Sequence, residues 1–357
     1  SVSKVMERCM FNHLIMFLEP RLYQLQYGFL KGKSCVSQLL KVYHKIGQIL
    51  DNGGQIDVIY LDFSKAFDSI SHHLVLFKLK HQFGFSEQLL TWVESYLSQR
   101  SQRVIIEGHE SCWHPVTSGV PQGSILGPLL FLLFINDLPI AAPNSTTALF
   151  ADDSKCFRPI LSITDCHLLQ KDLDGMYEWS KSWKMTFNAT KCKVMSITRS
   201  RNPAVFTYHM NGVPLEHVGS FKDLGVVFNS KLCFNEHIDS LISKCNQING
   251  LIKRSVGYHA PSHVKLQLYK SLTLSNMDYC SQVWSPQGFV KVRCLESIQR
   301  SMTKFILNDF NVSYVDRCCE LDLLPLTYRR EFNDLLYIFK VIHGLLEVNF
   351  SDEVEIV

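Results

Sequence analysis

The chain reads Phe150-Ala151-Asp152-Asp153 between two short apolar runs, one ending at Leu149 and the other beginning at Cys156. Apolar positions on both sides of a polar pair predict a strand, a tight turn and a second strand, with the carboxylates at the tip. Two ionised side chains repel each other. A divalent cation removes that repulsion, because Mg²⁺ takes hard oxygen ligands and keeps positions open for substrate phosphates. A solvated Asp-Asp turn is the alternative for a pair that stands alone.

Another carboxylate follows a second apolar run. Val58-Ile59-Tyr60-Leu61 is rich in β-branched and aromatic side chains, and Asp62 comes directly after it. This pattern predicts a buried strand that presents Asp62 at its carboxyl end, with an ordinary turn residue as the alternative. A third segment, Gly119-Val120-Pro121-Gln122-Gly123, is typical of a turn whose glycines let the backbone approach a ligand closely. We therefore expect three separate elements to meet at one cleft.

Helical and β patterns flank these motifs. Apolar periodicity predicts the helices, and Asn211-Gly212 between short β-like runs predicts a hairpin. A helix from Asp165 has an apolar face that suits packing beneath a sheet. The other expected elements are helices at residues 37–50, 72–83, 86–97, 238–256 and 263–274, and a β-like pair at 102–106 and 112–116.

Composition sets broad limits on the class of protein. The 357 residues suffice for two or three domains, and 46% hydrophobic residues allow a sizeable core. Twelve cysteines include no C-x-x-C pair, which argues against zinc and predicts reduced thiols in an intracellular protein of the nucleus or cytoplasm. A net charge of +3 does not by itself indicate nucleic-acid binding, and the apolar stretch from Ile125 is too short to span a bilayer.

Taken in order, the motifs resemble those of reverse transcriptases, in the form found in non-LTR (LINE-type) retrotransposons and close to the jockey-like elements. The central matches are Asp62-Phe63-Ser64-Lys65-Ala66-Phe67-Asp68, Gly119 to Gly123 and Phe150 to Asp153. Supporting matches are Gln26-Tyr27-Gly28-Phe29 with Lys33-Ser34, Trp92 to Arg100, Phe187-Asn188 with Lys191-Cys192-Lys193, and Leu224-Gly225-Val226. The resemblance runs from Val2 to Phe228 and continues more weakly beyond it.

The resemblance implies an α+β fold of the right-hand polymerase type, with an antiparallel palm sheet, truncated fingers and a helical thumb. It places partial fingers at residues 1–56, the palm with inserted fingers elements at 57–228, and the helical thumb with the C-terminal region at 229–357. The chain is then expected to be a fragment of a longer element product, without the upstream endonuclease and the first part of the fingers.

The same resemblance implies RNA-directed DNA synthesis, in which dNTPs are added to a primer 3′-hydroxyl during target-primed retrotransposition. The implied partners are an RNA template, a DNA primer or target and dNTPs, without a membrane, and the cofactor is Mg²⁺ or Mn²⁺. Two metal ions about 3.5–4 Å apart can activate the hydroxyl and stabilise the leaving pyrophosphate when carboxylates hold them. The implied ligands are Asp62 and Asp152, which bridge both ions, then Asp153 and the backbone carbonyl of Phe63.

The resemblance also implies that several side chains contact the incoming nucleotide or its pyrophosphate. Phe67 occupies the family's steric-gate position, where an aromatic ring excludes a ribose 2′-hydroxyl; core packing is the alternative. Gln122 contacts the incoming nucleotide, and Gly123 permits its close approach. Either Lys191 or Lys193 protonates pyrophosphate, and a surface lysine is the alternative for each.

Basic residues are expected at the triphosphate and along the nucleic acid. The chain has Leu30 where the family usually has Arg, so Lys31 and Lys33 are expected to supply that charge, without a bidentate fork. Leu224-Gly225 resembles the tip of a primer-grip hairpin. Cations on the next helix are expected to track the duplex backbone, with a solvated helix face as the alternative: Lys244, Lys253 and Arg254.

Two other functions stay open at this point. A catalytically inactive remnant, truncated or adopted by a host, would bind RNA or a ribonucleoprotein. The expected loss of N-terminal fingers and Leu30 favour this function, whereas the three intact aspartates oppose it. A different two-metal phosphodiesterase would need further carboxylates and histidines at metal-ligand spacing. The complete carboxylate set makes the polymerase the predicted function.

Overall fold

A computed structural model describes residues 2–347, which fall into two compact units. Within the described residues we call them the sheet unit, residues 2–34 with 41–219, and the helical unit, residues 35–40 with 220–347. The predicted α+β class is confirmed, while residues 348–357 of the predicted C-terminal region lie outside the described part. Within residues 2–347 no helix combines the length and the apolar character needed to cross a membrane.

The sheet unit alternates helices with short strands. The helices of this part of the chain are α1 (Val2–Leu18), α2 (Cys35–Asp51), α3 (Ala66–Ser69), α4 (His72–His81), α5 (Glu87–Leu97), α6 (Leu126–Ile135) and α7 (Ile163–Ser182), with 3₁₀ turns at Glu19–Arg21 and Leu138–Ala141. The strands are β1 (Gln55–Leu61), β2 (Ser101–Gln102), β3 (Ile105–Ile106), β4 (His109–Glu110), β5 (His114–Pro115), β6 (Thr146–Phe150), β7 (Asp153–Ile160), β8 (Lys193–Thr198), β9 (His209–Met210), β10 (Val213–Pro214) and β11 (Glu216–His217). The helices predicted at 37–50, 72–83 and 86–97 are confirmed within two residues.

One five-stranded sheet organises this unit, in the order β11-β8-β1-β7-β6. The central strand β1 is antiparallel to β7 on one side and to β8 on the other. All seven residues of β1 are buried, as expected for a strand covered on both faces. The predicted antiparallel sheet is therefore confirmed, apart from the two-residue edge strand β11, which runs parallel to β8.

Strand pairing brings the carboxylate motifs to one end of the sheet. β6 and β7 form a hairpin with Ala151 and Asp152 as its turn, so the predicted strand, turn and strand are confirmed. Leu61, the last residue of β1, lies opposite Ser154 on β7. Asp62 therefore leaves β1 beside the Ala151-Asp152 turn.

Two smaller predicted features also form. The hairpin expected at Asn211-Gly212 joins β9 to β10. The β-like pair expected at residues 102–106 and 112–116 becomes two separate ladders of two residues per strand, β2 with β5 and β3 with β4. These ladders are fully exposed, so no buried face extends them into longer strands.

A buried ammonium group links α4 to α6. Lys78 donates to the carbonyl of Phe134 and to the carboxylate of Asp137, each over 2.5 Å. The ring centroids of Trp179 and Trp183 lie 4.8 and 3.7 Å from its Nζ. Burial lowers the pKa of Lys78 to about 8, although Asp137 acts in the opposite direction. The carboxylate and the two ring faces compensate a charge that would otherwise be costly in the core.

The helical unit contains the first six residues of α2, Cys35–Leu40, and from Ser220 onward it consists of a hairpin followed by helices. β12 (Ser220–Asp223) pairs with β13 (Val226–Asn229). The helices are α8 (Asn235–Val256), α9 (Ser262–Leu268), α10 (Ser275–Asp278), α11 (Ser281–Trp284), α12 (Phe289–Leu307), α13 (Tyr314–Glu320) and α14 (Leu326–Ile342). The helix predicted at 238–256 is confirmed and begins three residues earlier.

The helix predicted at residues 263–274 changes type halfway. After α9 the chain continues as a π-helix over Tyr269–Leu274. Within it, the buried hydroxyl of Thr273 donates to Asn249 on α8, and the hydroxyl of Tyr269 donates to Gln299 on α12. The wider turn lets both side chains keep these distant partners, which the local apolar periodicity does not reveal.

Lys78→Met should remove a pH dependence of stability. In the unfolded chain the ammonium keeps its proton up to its ordinary pKa of 10.5, whereas the folded chain releases it near pH 8. Between these values the unfolded chain binds more protons, so the free energy of unfolding should rise with pH, by up to about 3 kcal/mol. Buried thiols with raised pKa values, such as those of Cys156 and Cys192, act in the opposite direction in this pH range, so the test is a difference between variants. Denaturant unfolding at pH 8 and pH 10 should show that the stability of the parent relative to Lys78→Met increases with pH, and that Lys80→Met, an exposed control, has the same pH dependence as the parent. The same pH dependence in Lys78→Met as in the parent would contradict the assignment.

Candidate active site

The β6–β7 turn holds Asp152 at the edge of the core. Ala151 is buried with a left-handed φ of 53°, Asp152 is half-buried and Asp153 is exposed. Burial raises the pKa of the Asp152 carboxyl; its own backbone N–H opposes the shift, and the negative charge of Asp62 adds to it. The two carboxylates that the sequence predicted to meet are therefore close enough to repel each other.

The end of β1 is fixed by the segment that precedes β8. The N–H of Asp62 donates to Sγ of Cys192 over 3.4 Å, and its carbonyl accepts from the N–H of Asn188 over 2.8 Å. Phe63 stacks on Phe187 with ring centroids 4.3 Å apart. Sequence reasoning missed the role of Cys192; its place between the two predicted lysines was the only signal.

The carboxylate pair fits a divalent cation. Oδ2 of Asp62 is buried and, within residues 2–347, accepts no hydrogen bond; its ion pair with Nζ of Lys191 is loose at 3.7 Å, so this oxygen can take another ligand. Together with Asp152 it offers hard anionic oxygen donors of the kind that Mg²⁺ binds. Within residues 2–347 no group of three or more His, Cys, Asp or Glu side chains is placed to hold a metal ion, so the structure itself assembles only this pair of carboxylates.

The two candidate proton donors differ in their surroundings. Lys191 is largely exposed, and its Nζ lies 3.7 Å from Oδ2 of Asp62, too far for a hydrogen bond. Lys193 instead donates to the carbonyl of Thr190 over 2.8 Å and to Glu216 over 2.6 Å. Of the two ammonium groups, Lys191 is the one that lies at the carboxylate pair.

The glycine-bearing loop docks on the segment that follows Asp62. A Cβ at Gly119 would lie 2.8 Å from Cα of Asp68 and 2.9 Å from the carbonyl oxygen of Phe67. The φ of Gly119 is 83°, and its N–H donates to the carbonyl of Ile70 over 2.7 Å. Both the space and the backbone angle therefore require glycine here. The predicted meeting of the loop with the Asp62 motif is found.

Phe67 lies between the first two motifs. Its half-buried ring stacks on Phe131 of α6 at 4.2 Å and meets the edge of Phe29 at 6.2 Å. Phe29 ends the Gln26–Phe29 motif, which is thereby brought to the Asp62 segment. One side of the Phe67 ring packs and part of it stays accessible, so both sequence-based alternatives for this residue have a structural basis.

Gln122 borders a polar cavity. Its exposed side chain donates from Nε2 to Oδ1 of Asp68 over 2.9 Å, and no atom lies within 4 Å of where a Cβ on Gly123 would be. The cavity has a volume of about 680 Å³, and Lys65 and Arg100 lie in its wall. Sequence reasoning did not single out these two cations, although both fall inside family-like motifs.

A buried carboxylate from α1 caps α6 just after this loop. Glu7 accepts hydrogen bonds from the N–H groups of Ile125 and Leu126 over 2.7 and 3.2 Å, and Tyr96 donates its hydroxyl to the same oxygen. Burial alone raises the pKa of Glu7, but these backbone donors outweigh it and hold the pKa below its usual range. The cap comes from 118 residues away, so no local pattern predicts it.

The two lysines expected at the triphosphate differ in their contacts and in their exposure to solvent. Lys33 donates to the carbonyl of Gln24 over 3.0 Å, and its Nζ lies 5.4 Å from the ring centroid of Tyr27. Lys31 is exposed. Leu30 is buried in the apolar core, so the backbone at this position directs a side chain away from solvent. Lys31 is therefore the better placed of the two lysines to meet a soluble anion.

The predicted primer-grip turn is part of a regular hairpin in the helical unit. Leu224 and Gly225 connect β12 to β13. The carbonyl of Leu224 accepts a hydrogen bond from the hydroxyl of Tyr279 over 2.8 Å. This bond anchors the hairpin tip to the helices of the same unit.

The three cations predicted on α8 do not share one face. Lys244 donates to Asn276 over 2.7 Å, whereas Lys253 donates to Ser301 over 2.9 Å. Their spacing in sequence turns Lys253 to the opposite side of an α-helix, and Arg254 is exposed. Lys253 instead lines a cavity of about 320 Å³ to which residues 2–347 contribute no carboxylate; its other polar lining residues are Tyr258, Ser297, Arg300, Ser301 and Lys304.

Comparisons with known proteins identify the family of this chain. A family model described as reverse transcriptase (RNA-dependent DNA polymerase) matches residues 1–228. The RNA-directed DNA polymerase from mobile element jockey of Drosophila melanogaster is 30% identical over 320 residues, which are 83% of this chain and 34% of that protein. The probable RNA-directed DNA polymerase from transposon X-element of the same species is 27% identical over 322 residues, 86% of this chain and 34% of that protein.

The chain thus spans about a third of the length of these curated relatives. Among solved structures, apo telomerase from Candida tropicalis aligns with a TM-score of 0.47 and 9% identity, over 86% of this chain and 55% of that chain.

Proposed function

The chain belongs to the reverse transcriptase family, and from that premise we propose that it catalyses RNA-directed DNA synthesis for a non-LTR retrotransposon. The observation that carries the proposal is the pair of mutually repelling carboxylates, Asp62 and Asp152, with one buried oxygen of Asp62 that accepts no hydrogen bond from residues 2–347. The proposed partners are an RNA template, a DNA primer or target, and dNTPs. The proposed cofactor is Mg²⁺, with Mn²⁺ as the alternative ion.

In this proposal Asp62 and Asp152 hold the divalent cations, and Asp153 and the carbonyl of Phe63 are additional oxygen donors. Bound metal ions supply positive charge for the attacking and leaving oxygens of nucleotidyl transfer. The buried oxygen of Asp62 that accepts no hydrogen bond from the described residues supports this ligand set, because a buried acceptor without a hydrogen bond is otherwise costly. Cys192 and Asn188 then act as residues that fix the backbone from which Asp62 projects.

The remaining roles concern the nucleotide. We assign proton delivery to pyrophosphate to Lys191 instead of Lys193, since the latter is already bound to Glu216. Phe67 excludes the ribose 2′-hydroxyl with the accessible part of its ring. Gln122 contacts the nucleotide, Gly123 leaves room beside it, and Lys31 and Lys33 attract its triphosphate.

The proposed domain division keeps partial fingers at residues 1–56, palm at 57–228 and thumb with the C-terminal region at 229–357. The boundary between the sheet unit and the helical unit, at Gly219 and Ser220, lies close to the proposed boundary between palm and thumb at residues 228 and 229. All twelve cysteines are free thiols, which supports a reducing compartment, the nucleus or the cytoplasm, as the place of action.

The proposed nucleic-acid surface of the helical unit is the Lys253 cavity. Three cations without a carboxylate among them suit phosphate groups, which need positive charge and carry no sequence code. Burial lowers the pKa of Lys253, and an anion at this place would favour its charged form again. Lys244 and Arg254 flank this surface and are secondary in the proposal.

A second candidate function is RNA binding without catalysis. The observation that favours it is Leu30, whose burial leaves the usual Arg position without a cation. The intact pair of Asp62 and Asp152 opposes it, because RNA binding alone gives no reason to keep two repelling carboxylates together. Primer extension separates the two functions.

Asp62→Asn or Asp152→Asn should abolish primer extension on a poly(rA)/oligo(dT) substrate. Losing one bridging carboxylate should lower the rate on the order of 10³-fold or more, as for other residues that act as one catalytic unit. RNA binding should persist, and thermal unfolding should not shift down, because each substitution removes one of two like charges. Asp174→Asn, an exposed carboxylate on α7, is the matched control. Retention of about a tenth of the parent rate by either variant would contradict the ligand assignment.

Phe67→Val should admit ribonucleotides. The smaller side chain opens room for the 2′-hydroxyl, so the preference for dCTP over rCTP in kcat/KM should fall by about 10²-fold. Phe67→Tyr keeps the ring and is the control that should retain the preference. Synthesis from dNTPs should survive in both variants because the carboxylates are untouched. Unchanged discrimination in an active Phe67→Val enzyme would reduce Phe67 to a packing residue.

Replacing the three cavity cations should flatten the salt dependence of nucleic-acid binding. In the variant with Lys253→Gln, Arg300→Gln and Lys304→Gln, the slope of log K against log salt should weaken by about 2–3, since each lost phosphate contact contributes about 0.7–0.9. Binding should weaken equally for every sequence. The control removes three exposed or half-exposed cations outside the cavity: Lys231, Lys270 and Lys340. Equal slopes in the two triple variants would mean that only net charge matters.

A further inference from the structure

Gln26 lies buried in the sheet unit, next to the β6–β7 turn. Its Oε1 accepts two backbone hydrogen bonds, from the N–H of Gly28 over 2.8 Å and from the N–H of Ala151 over 3.0 Å. Ala151 immediately precedes Asp152. We propose that Gln26 is a positioning residue that holds Ala151 in the conformation from which the Asp152 carboxylate projects, an inference that rests on the proposed function.

Ala151 needs such a contact. Its φ of 53° lies in the left-handed region, where the Cβ of an L-residue crowds the following carbonyl oxygen. A non-glycine residue keeps this backbone conformation only where several surrounding contacts hold it in place. The bond from the Ala151 N–H to Gln26 is one such constraint, and it acts on the turn itself instead of on the strands beside it.

Backbone contacts bring Gln26 to the turn. The N–H of Leu149 donates to the carbonyl of Leu25 over 3.0 Å, and the N–H of Tyr27 donates to the carbonyl of Leu149 over 2.8 Å. A Cβ on Gly28 would lie 2.5 Å from the nitrogen of Ala151, so this close approach requires glycine. The Gln26–Phe29 motif is therefore seated along β6, and the position of the Gln26 side chain follows from it.

The two ends of the Gln26 amide are used unequally. Oε1 has two donors, while Nε2 is buried and, among residues 2–347, has no hydrogen-bond partner. An unpaired buried amide nitrogen is costly, and a methionine of similar length would fill the space without that cost. What glutamine adds at this position is its acceptor oxygen, which methionine lacks.

The first test is a double-mutant cycle between Gln26→Met and Ala151→Gly. Gln26→Met should lower kcat in primer extension on the order of 10-fold, with KM for dNTP nearly unchanged, because the carboxylate is misplaced while the nucleotide site is intact. In the Ala151→Gly background the same change should lower kcat only about twofold, because glycine adopts a positive φ without help.

Gln55→Met provides the matched control. Gln55 is also buried in the sheet unit, and its amide bonds to the backbone of Ala204. Its replacement should lower the unfolding temperature but combine additively with Ala151→Gly. A structural role alone would make Gln26→Met behave in the same way, and additive losses for Gln26→Met would overturn the inference.

The second test needs no activity. Hydrogen exchange at the Ala151 amide, measured without metal or nucleotide, should accelerate about 10-fold or more in Gln26→Met and stay unchanged in Gln55→Met. Unchanged exchange in Gln26→Met overturns the inference even if the enzyme is active. An inactive parent chain with accelerated exchange in Gln26→Met would instead refute the proposed function and leave the hold of Gln26 on the turn supported.

Discussion

The pairing of β1 with β7 on one side and β8 on the other is the constraint on which the site depends. Because β1 is central, its end is fixed by two hydrogen-bonded neighbours at once. The first neighbour carries the Ala151-Asp152 turn, and the segment before the second carries Asn188, Lys191 and Cys192. A shift of one residue in either register would turn the side chains of β1 to the wrong face and separate Asp62 from Asp152.

The site is held together against its own electrostatics. Burial raises the pKa of Asp152, and repulsion by Asp62 adds to the rise. Hydrogen bonds that link residues distant in sequence hold the two backbone segments in place despite this repulsion, notably the bonds to Cys192 and Gln26. Strain of this kind persists only where the surrounding structure holds it, and it is typical of ligand sites.

In the helical unit, too, side chains distant in sequence bring like charges together. The cations on α8 are spread around the helix, so sequence proximity alone does not make a binding face. The Lys253 cavity arises because α12 contributes Arg300 and Lys304 from a separate stretch of the chain. Burial of Lys253 among these groups lowers its pKa, and an anionic partner there would favour its charged form again.

The sequence by itself determined the element types and the carboxylate motifs. Apolar periodicity located β1 and the helices, and the order of motifs identified the family. These signals succeed because strand and helix periods are local and repeat within a few residues. These signals did not predict that Tyr269–Leu274 form a π-helix, because the side chains of this segment form hydrogen bonds with residues of α8 and α12 that are distant in sequence.

Only the tertiary structure decided how the motifs are held. The Gln26–Ala151 bond spans 125 residues, the Glu7 cap spans 118 and the Asp62–Cys192 bond spans 130. Each of these hydrogen bonds joins two atoms that come together only through strand register and helix packing. Such contacts produce no periodic pattern in the amino-acid sequence. The same reason explains why Lys191 and Lys193 could not be told apart from sequence: their distinction lies in Glu216 on β11, a strand of two residues with no apolar pattern to predict it.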